Sequence, residues 1–461
     1  MTTYLNQTTD GSITRAQTGE IDVKLSLYRD GRRVEDSSGN YDLISFLRGF
    51  EIYESIANPC MEARLVLEDA GGVIGSLTGS EEIRLEIKGS IVDRSYFFRS
   101  YHIQARVRTN QSNETYLINC VSDEYIKNEV VNIFGNSETV FGAESEASNI
   151  IRKILTKELK TKKKLFLEKT INKQSFISPN WRPFDLIYWM SQRCIRKGKG
   201  GQLQNAFAFF ENAMGFNFKS LDSMIDAINE GSDVSNPTTG DMKTYQYTYT
   251  PKRMTGQEYD QFNIERITFP DERNYLMGLR HGAWSGFSVG FDPTFITRSR
   301  MGLSTDLSAD AYRYAVTEIW KKMSHLNGKG AKNPFNLMDK SIQEYVRTPK
   351  RVRYTMIPNQ IFDPKFQNNP QRNYEQLVEL QAYQWMRLET LKNTRLTIQV
   401  PGNLDLYAGG GVDIRIPANE PGTQKIDERY SGRYLIAAVA HKATGFTMTT
   451  ELSLMKDSFG T

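Results

Sequence analysis

Two strand-like stretches near the end of the chain, GRYLIAAVAH (432–441) and FTMTTELSLMKDS (446–458), flank a turn at Lys442–Gly445, and GGGVDIRI (409–416) leads into them through a connector. The same order occurs much earlier. There GSEEIRLEI (79–87) leads through a connector to YHIQARV (101–107), and a polar turn is followed by ETYLINCVSDE (114–124). Strand order, period and turn placement match, although few residues are identical. Chance is the competing explanation, because short alternating strands resemble one another readily. A true repeat gives one chain two copies of one β module. Three such chains in a closed ring would present six similar modules, since homo-oligomers usually close by cyclic symmetry.

Outward from the repeat, residues 21–122 read as the first module. Val23, Leu25 and Leu27 alternate with Asp22, Lys24 and Ser26, and Ile83, Leu85 and Ile87 alternate with Arg84, Glu86 and Lys88. One apolar face at period two is the mark of a half-buried strand. Residues 1–20 are polar and read as a flexible arm. Residues 123–205 read as a mixed α/β insert, with Ser148 capping a helix through Ile150, Ile151, Ile154 and Leu155, and a second helix over Pro183–Ile195. Phe207–Phe210 and Phe216–Phe218 read as a small hairpin whose rings pack in a core. The second module is expected to draw strands from 206–224 and 281–300 and its remainder from 395–461. Residues 225–280 and 301–372 read as peripheral insertions, with one helix near Ala309–Met323. A helix spans 373–394, where Val378, Ala382, Trp385, Leu388 and Leu391 share one stripe. The expected class is α+β and β-dominated: two similar antiparallel β-barrel modules with a mixed insert.

Composition narrows the function. The chain has 461 residues, 39% hydrophobic and 24% charged, so it can bury a core. A net charge of +4 is small for this length and argues against a dedicated nucleic-acid binder. Cys60, Cys120 and Cys194 are odd in number and unpaired in spacing, which fits a reducing compartment. The first twenty residues lack the apolar core of a signal peptide, and no run reaches the ~18 apolar residues of a spanning helix. The expectation is a protein without membrane insertion.

Catalytic patterns are scarce. His102, His281, His325 and His441 are remote from one another, so no zinc spacing exists. Gly286-Phe287-Ser288-Val289-Gly290 fits G-x-S-x-G by letter. A nucleophile elbow needs a helix directly after the serine, and Pro293 stands near where that helix would begin. Ser288 sits in an alternating run instead. A serine hydrolase using Ser288 is the third reading, and labelling by a fluorophosphonate would support it. Gly71–Gly75 and Gly409–Gly411 do not open phosphate-binding helices and read as turns. The basic stretches Lys160–Lys164 and Arg193–Lys199 read as solvated faces, with an acidic partner or nucleic acid as the alternative.

Several segments then match a family pattern in order. WRPFDLI (181–187) and AFAFFENAMGFNFKSLDSM (206–224) resemble the central region of baseplate hub proteins of T-even-like contractile-tailed phages, a group shared with type VI secretion spike hubs. Trp181, Phe184, Asp185 and Phe216 carry that part. Gly402, Asn403 and Gly409 resemble a G-N-x-x-L-x-x-G strand pair of such hubs, and Gly432, Tyr434 and His441 their closing strands. Gly282–Ser285 with Asp292 resembles a further hub strand. The resemblance touches about half the chain, and the 225–280 and 300–372 regions are larger than a minimal hub requires. It implies two tube-type modules per chain and a homotrimer that adapts a sixfold tail tube to a threefold central spike. It also implies passage of tape-measure protein and DNA through the lumen, contacts with tube-initiator and wedge proteins, a place in the virion tail, assembly in the host cytoplasm, and no cofactor or catalytic residue. A spike or secretion hub is the second reading. A fused spike would be expected to continue beyond the last strand at Leu454.

Overall fold

The computed structural model describes residues 18–35, 39–70, 77–108, 113–134, 140–232, 242–250, 261–270, 276, 284–291, 312–347, 352–356, 368–419 and 425–460. The chain is α+β and dominated by one large, mainly antiparallel sheet.

The first part of that sheet holds β1 (Asp22–Arg29), β2 (Leu47–Ser55), β3 (Glu62–Asp69), β4 (Glu82–Lys88), β5 (Asp93–Arg108) and β6 (Glu114–Val121), with the two-residue strand Arg32–Arg33 folded back on β1. Helices α1 (Asp123–Val130), α2 (Ala147–Lys153) and α3 (Pro183–Ser191) follow. The strands β7 (Leu165–Leu167), β8 (Phe207–Asn212) and β9 (Gly215–Ser220) form a small separate sheet, backed by α4 (Leu221–Glu230). Then come β10 (Tyr245–Thr248) and β11 (Arg266–Thr268), both in the large sheet. A second small sheet contains β12 (Ser285–Phe291), β13 (Tyr312–Ala315) and β14 (Val352–Met356). After α5 (Lys340–Arg347) and α6 (Pro370–Leu391), the chain returns to the large sheet through β15 (Thr394–Pro401), β16 (Gly411–Arg415), β17 (Gly432–Thr444) and β18 (Thr447–Lys456).

Period two explains these strands. Ile83, Leu85 and Ile87 of β4 are buried while their neighbours face outward, and Met448, Thr450, Leu452 and Leu454 do the same in β18. Two apolar clusters lie on the large sheet. One gathers Leu25, Ile52, Leu65, Leu85 and Ile118, and the other Tyr247, Ile398, Val412, Tyr434 and Leu452.

The repeat is written in strand connectivity. In the first copy the pairing runs β1–β4–β5–β6–β3–β2. In the second it runs β10–β16–β17–β18–β15–β11. Numbered along the chain within each copy, both follow the order one-four-five-six-three-two. A bulge recurs at the same place in the fifth strand, between Ser100 and His102 and between Ile436 and Ala438. The residue before each bulge donates its N–H to the loop ahead of strand four, Ser100 to Glu81 and Ile436 to Gly410, both at 2.9 Å. The copies also differ: β1 meets β4 antiparallel whereas β10 meets β16 parallel, and only the first copy carries a further bulge in its fifth strand, between Gln104 and Val107.

Several expectations require correction. The 206–224 strands do not enter the second module. Phe207, Phe209, Phe216 and Phe218 face α2 and α3 while Phe210 faces α4, so both faces of the hairpin are covered. Its outer edge takes β7 in parallel. Nor does the 281–300 region join that module, since β12 pairs with β13 and β14. The missing strands come instead from the presumed insertion 225–280, as β10 and β11. These are only four and three residues long, and only Tyr245 and Tyr247 show alternation. The helix after Glu146 starts at Ala147, so Ser148 is not its cap, and its end widens into a π turn over Ile154–Glu158. The next helix stops at Ser191 rather than Ile195. Within Ala309–Met323 the described part is a strand and then two short helical turns. The long helix begins at Pro370, with Asn369 capping it. At the arm, Gly19 accepts from Met448 N–H and Glu20 bridges to Thr447.

Candidate assembly interface

The two copies meet edge to edge. β17 uses its first residues to hold β16 and its later residues, Ala438–Thr444, to hold β2 of the first copy in antiparallel register. β2 alternates cleanly, burying Phe50, Ile52 and then Glu54. Glu54 occupies a position that the alternation reserves for an apolar side chain. Its two carboxylate oxygens accept the N–H of Ala213 at 2.9 Å and of Ala408 at 3.1 Å. Burial pushes this carboxyl up to about 7, against the opposing pull of those two N–H donors. One side chain therefore ties the joint to the turn of the phenylalanine hairpin and to the loop after β15.

That loop, GNLDLYAG (402–409), touches every neighbour. Gly402 lies so close to β18 that an added Cβ would stand 2.7 Å from Met448 Cε. Asn403 donates to the Tyr247 hydroxyl at 3.0 Å, and its backbone N–H donates to Thr450 Oγ1. Leu404 packs in the first core and Leu406 in the second. Arg94 of β5 bonds Asp405 at 3.1 Å, and Tyr245 of β10 donates to the same carboxylate. Asn212 donates to Ala408 O, and Gly409 at φ +86° lies under Phe210. His441, buried in the joint itself, has Nδ1 3.0 Å from Thr450 Oγ1. Burial and the nearby Arg94 charge push its imidazole down to about 4.

A second buried polar knot fixes the helices to the second copy. Arg387 of α6 is fully buried and reaches Asp457 at 3.0 Å and Asp222 of α4 at 3.5 Å. Tyr383 donates to Asp222, and His325 meets Asp457 at 2.9 Å. Burial works against the Asp457 carboxylate, but Arg387 and His325 outweigh it and hold its pKa below the usual carboxylate range.

The sequence-derived residues therefore fall into groups. Gly402, Asn403, Gly409 and His441 converge on the joint. Tyr434 is in the second core with its hydroxyl on Tyr430 O, and Gly432, at φ +112°, lies against Gly460. Phe184 and Phe216 pack together in the insert, 6.1 Å between ring centroids. Trp181 and Asp185 are partly exposed there, Asp185 paired with Arg182 and Trp181 edge-on to Trp189. Asp292, like Gly71–Gly75, lies outside the described residues. Glu54, Arg94, Asp222, Arg387 and Asp457 went unnoticed. The available signal was a charge at a position the apolar period claims, as in Glu54 after Phe50 and Ile52.

Chemistry is otherwise sparse. Ser288 pairs with Tyr312 on one side and Arg353 on the other, mid-strand in β12, and not at the strand end an elbow requires. Cys60, Cys120 and Cys194 are free and buried; burial pushes the Cys60 thiol up to about 12 and the other two higher. Among the described residues no cluster of His, Cys, Asp or Glu could hold a metal ion, and no helix is long and apolar enough to cross a membrane. The basic stretches are partly neutralised within the chain. Lys163 pairs with Glu124 and with Glu211, while Arg196 pairs with Glu168 and Asp226 and Arg193 lies over the Trp189 ring.

No family model matches the sequence, and no curated protein matches it. Solved structures do match in fold. A tail protein from Neisseria meningitidis MC58 superposes with a TM-score of 0.50 at 12% identity, over 94% of this chain and 97% of its own. The 43 kDa tail protein of prophage MuSo2 from Shewanella oneidensis gives 0.51 at 10% identity, over 95% and 100%. Along nearly its whole length, this chain has the fold of those two tail proteins.

Proposed function

We propose that this chain is a structural baseplate hub of a contractile phage tail. Three copies form a pseudo-sixfold ring that joins the tail tube to the central spike, with tape-measure protein and then DNA passing through the lumen. Wedge proteins surround it, the finished ring resides in the virion, and the role needs no cofactor or catalytic residue. The observation that carries this reading is the duplicated six-strand connectivity, with the copies already joined edge to edge by β2 and β17. A ring that repeats such a joint has twice as many modules as chains, so a threefold assembly can face a sixfold one. The fold shared with a tail protein of Neisseria meningitidis and with a prophage tail protein supports the setting.

Native mass measurement of the full chain over a concentration series, with particle images, tests the reading. The expected result is a particle of three chains with a central opening. A compact monomer at every concentration, alone and with its spike protein, would overturn it.

A further inference from the structure

The internal repeat makes a statement about the chain's free edges. In the second copy, the later half of the fifth strand (Ala438–Thr444 of β17) is covered by β2, the second strand of the first copy. Val439, His441 and Ala443 are buried there. In the first copy, the corresponding half of β5 is His102–Arg108. It pairs with β6 on one side, and among the described residues no strand covers the other, because β4 ends its pairing at Arg99. Val107 is 54% exposed. The second copy's own second strand, β11, is the mirror of this. It pairs with β15 alone among the described strands, and Phe269 just beyond it is 47% exposed.

We infer that β11 of one chain pairs with the later half of β5 of a second copy, repeating between chains the joint that β2 and β17 make within one. This rests on the ring reading above and names the surfaces that would close it. Each chain then offers one edge of each kind, so the contact is head-to-tail, which excludes a two-fold pair and gives a ring when the rotation per chain closes. An open strand edge is a standing template for pairing with another chain, and the in-chain joint shows what fits it.

The register follows from the two copies. Ala440 faces Glu451 as Gln104 faces Leu117; two residues further on, Lys442 faces Thr449 and Val107 faces Thr115. Val107 thus stands where Lys442 stands. Glu51 faces Arg64 as Thr268 faces Thr397, and those partners pair with the equivalent Asn119 and Ser453. Thr268 thus stands where Glu51 stands. Glu51 and Lys442 are directly opposed in the in-chain joint, so Thr268 should face Val107 of the next chain. The first copy has an extra bulge between Gln104 and Val107, with Ala105 at φ +53°, so the match is taken on the far side of it.

The test is a Val107→Cys/Thr268→Cys double variant of the full chain, oxidised mildly and run without reductant, with each single variant beside it. Both positions are exposed, and the native cysteines are buried and do not compete. The expected result is a covalent ladder ending at three chains for the double variant only. A ladder ending at another number supports the joint and overturns the threefold count. Particles of three chains without the cross-link overturn the joint and leave the ring reading standing. A monomer without cross-link at every concentration overturns both. Thr268→Pro, which removes an edge N–H without touching either core, should abolish assembly while the thermal melt of the monomer is retained.

Discussion

At the residue scale, the joint is held by buried polar groups that titrate in opposite directions. His441 has its folded pKa pushed to about 4 against an ordinary 6.5, so it contributes stability above about pH 6.5 that is lost as pH falls through 4. The shift corresponds to roughly 3 kcal/mol. Glu54, raised to about 7, behaves oppositely: its contribution is complete below its ordinary 4.5 and is lost as pH rises through 7. Urea midpoints at pH 7.5, 6 and 5 should therefore show a His441→Leu variant with less acid loss than the parent protein. Arg387, fully buried, is the second point of weakness. Arg387→Leu leaves Asp222 and Asp457 buried without the guanidinium they share. A loss of about 3–5 kcal/mol is expected in denaturant unfolding, because a buried charge stripped of its partner keeps its desolvation cost. The glycines and asparagine of the 402–409 loop were legible in the sequence as a pattern. Glu54 left one sign, a charge where the alternation of Phe50 and Ile52 calls for an apolar side chain. Arg387 left none, since burial of its charge is a product of tertiary packing.

At the element scale, long strands with clean alternation were readable and short ones were not. β4, β5, β6, β16, β17 and β18 stood out because each repeats period two over several residues. β10 and β11 escaped because three or four residues carry too little period, and the sheet, not their own propensity, makes them strands. The phenylalanine hairpin was found, but its placement was misread. Apolar residues on both faces mean a strand pair buried from two sides, which an exterior module strand would not show. That hairpin and the 402–409 loop meet at Gly409, and a test belongs there. Gly409→Ala must accept a left-handed φ and a Cβ 2.8 Å from Phe210 Cζ. Roughly 2–4 kcal/mol of destabilisation is expected, read as a lowered melting temperature.

At the scale of the molecule, the repeat was visible as two matching runs of three strands, and the structure extends the match to six strands and to one bulge. Three of the six in each copy were invisible as repeats because their sequences differ and, in the second copy, a long excursion from 269 to 393 separates the second strand from the third. The assembly of three chains expected above belongs to this scale, since nothing within one chain covers both open edges among its described residues.

The in-chain joint also sets a clock. Glu54 and Ala408, which meet across it, lie 354 residues apart. Contacts of such separation form late, because the chain entropy of closing so large a loop must be met before they can repay it. During synthesis the outer edge of β2 is finished early and stays bare until β17 emerges. A neighbouring nascent chain can fill it first, and the result is a domain-swapped pair. Crowding of ribosomes on one message thus works against correct folding, and dilution or a bound holding chaperone works in its favour.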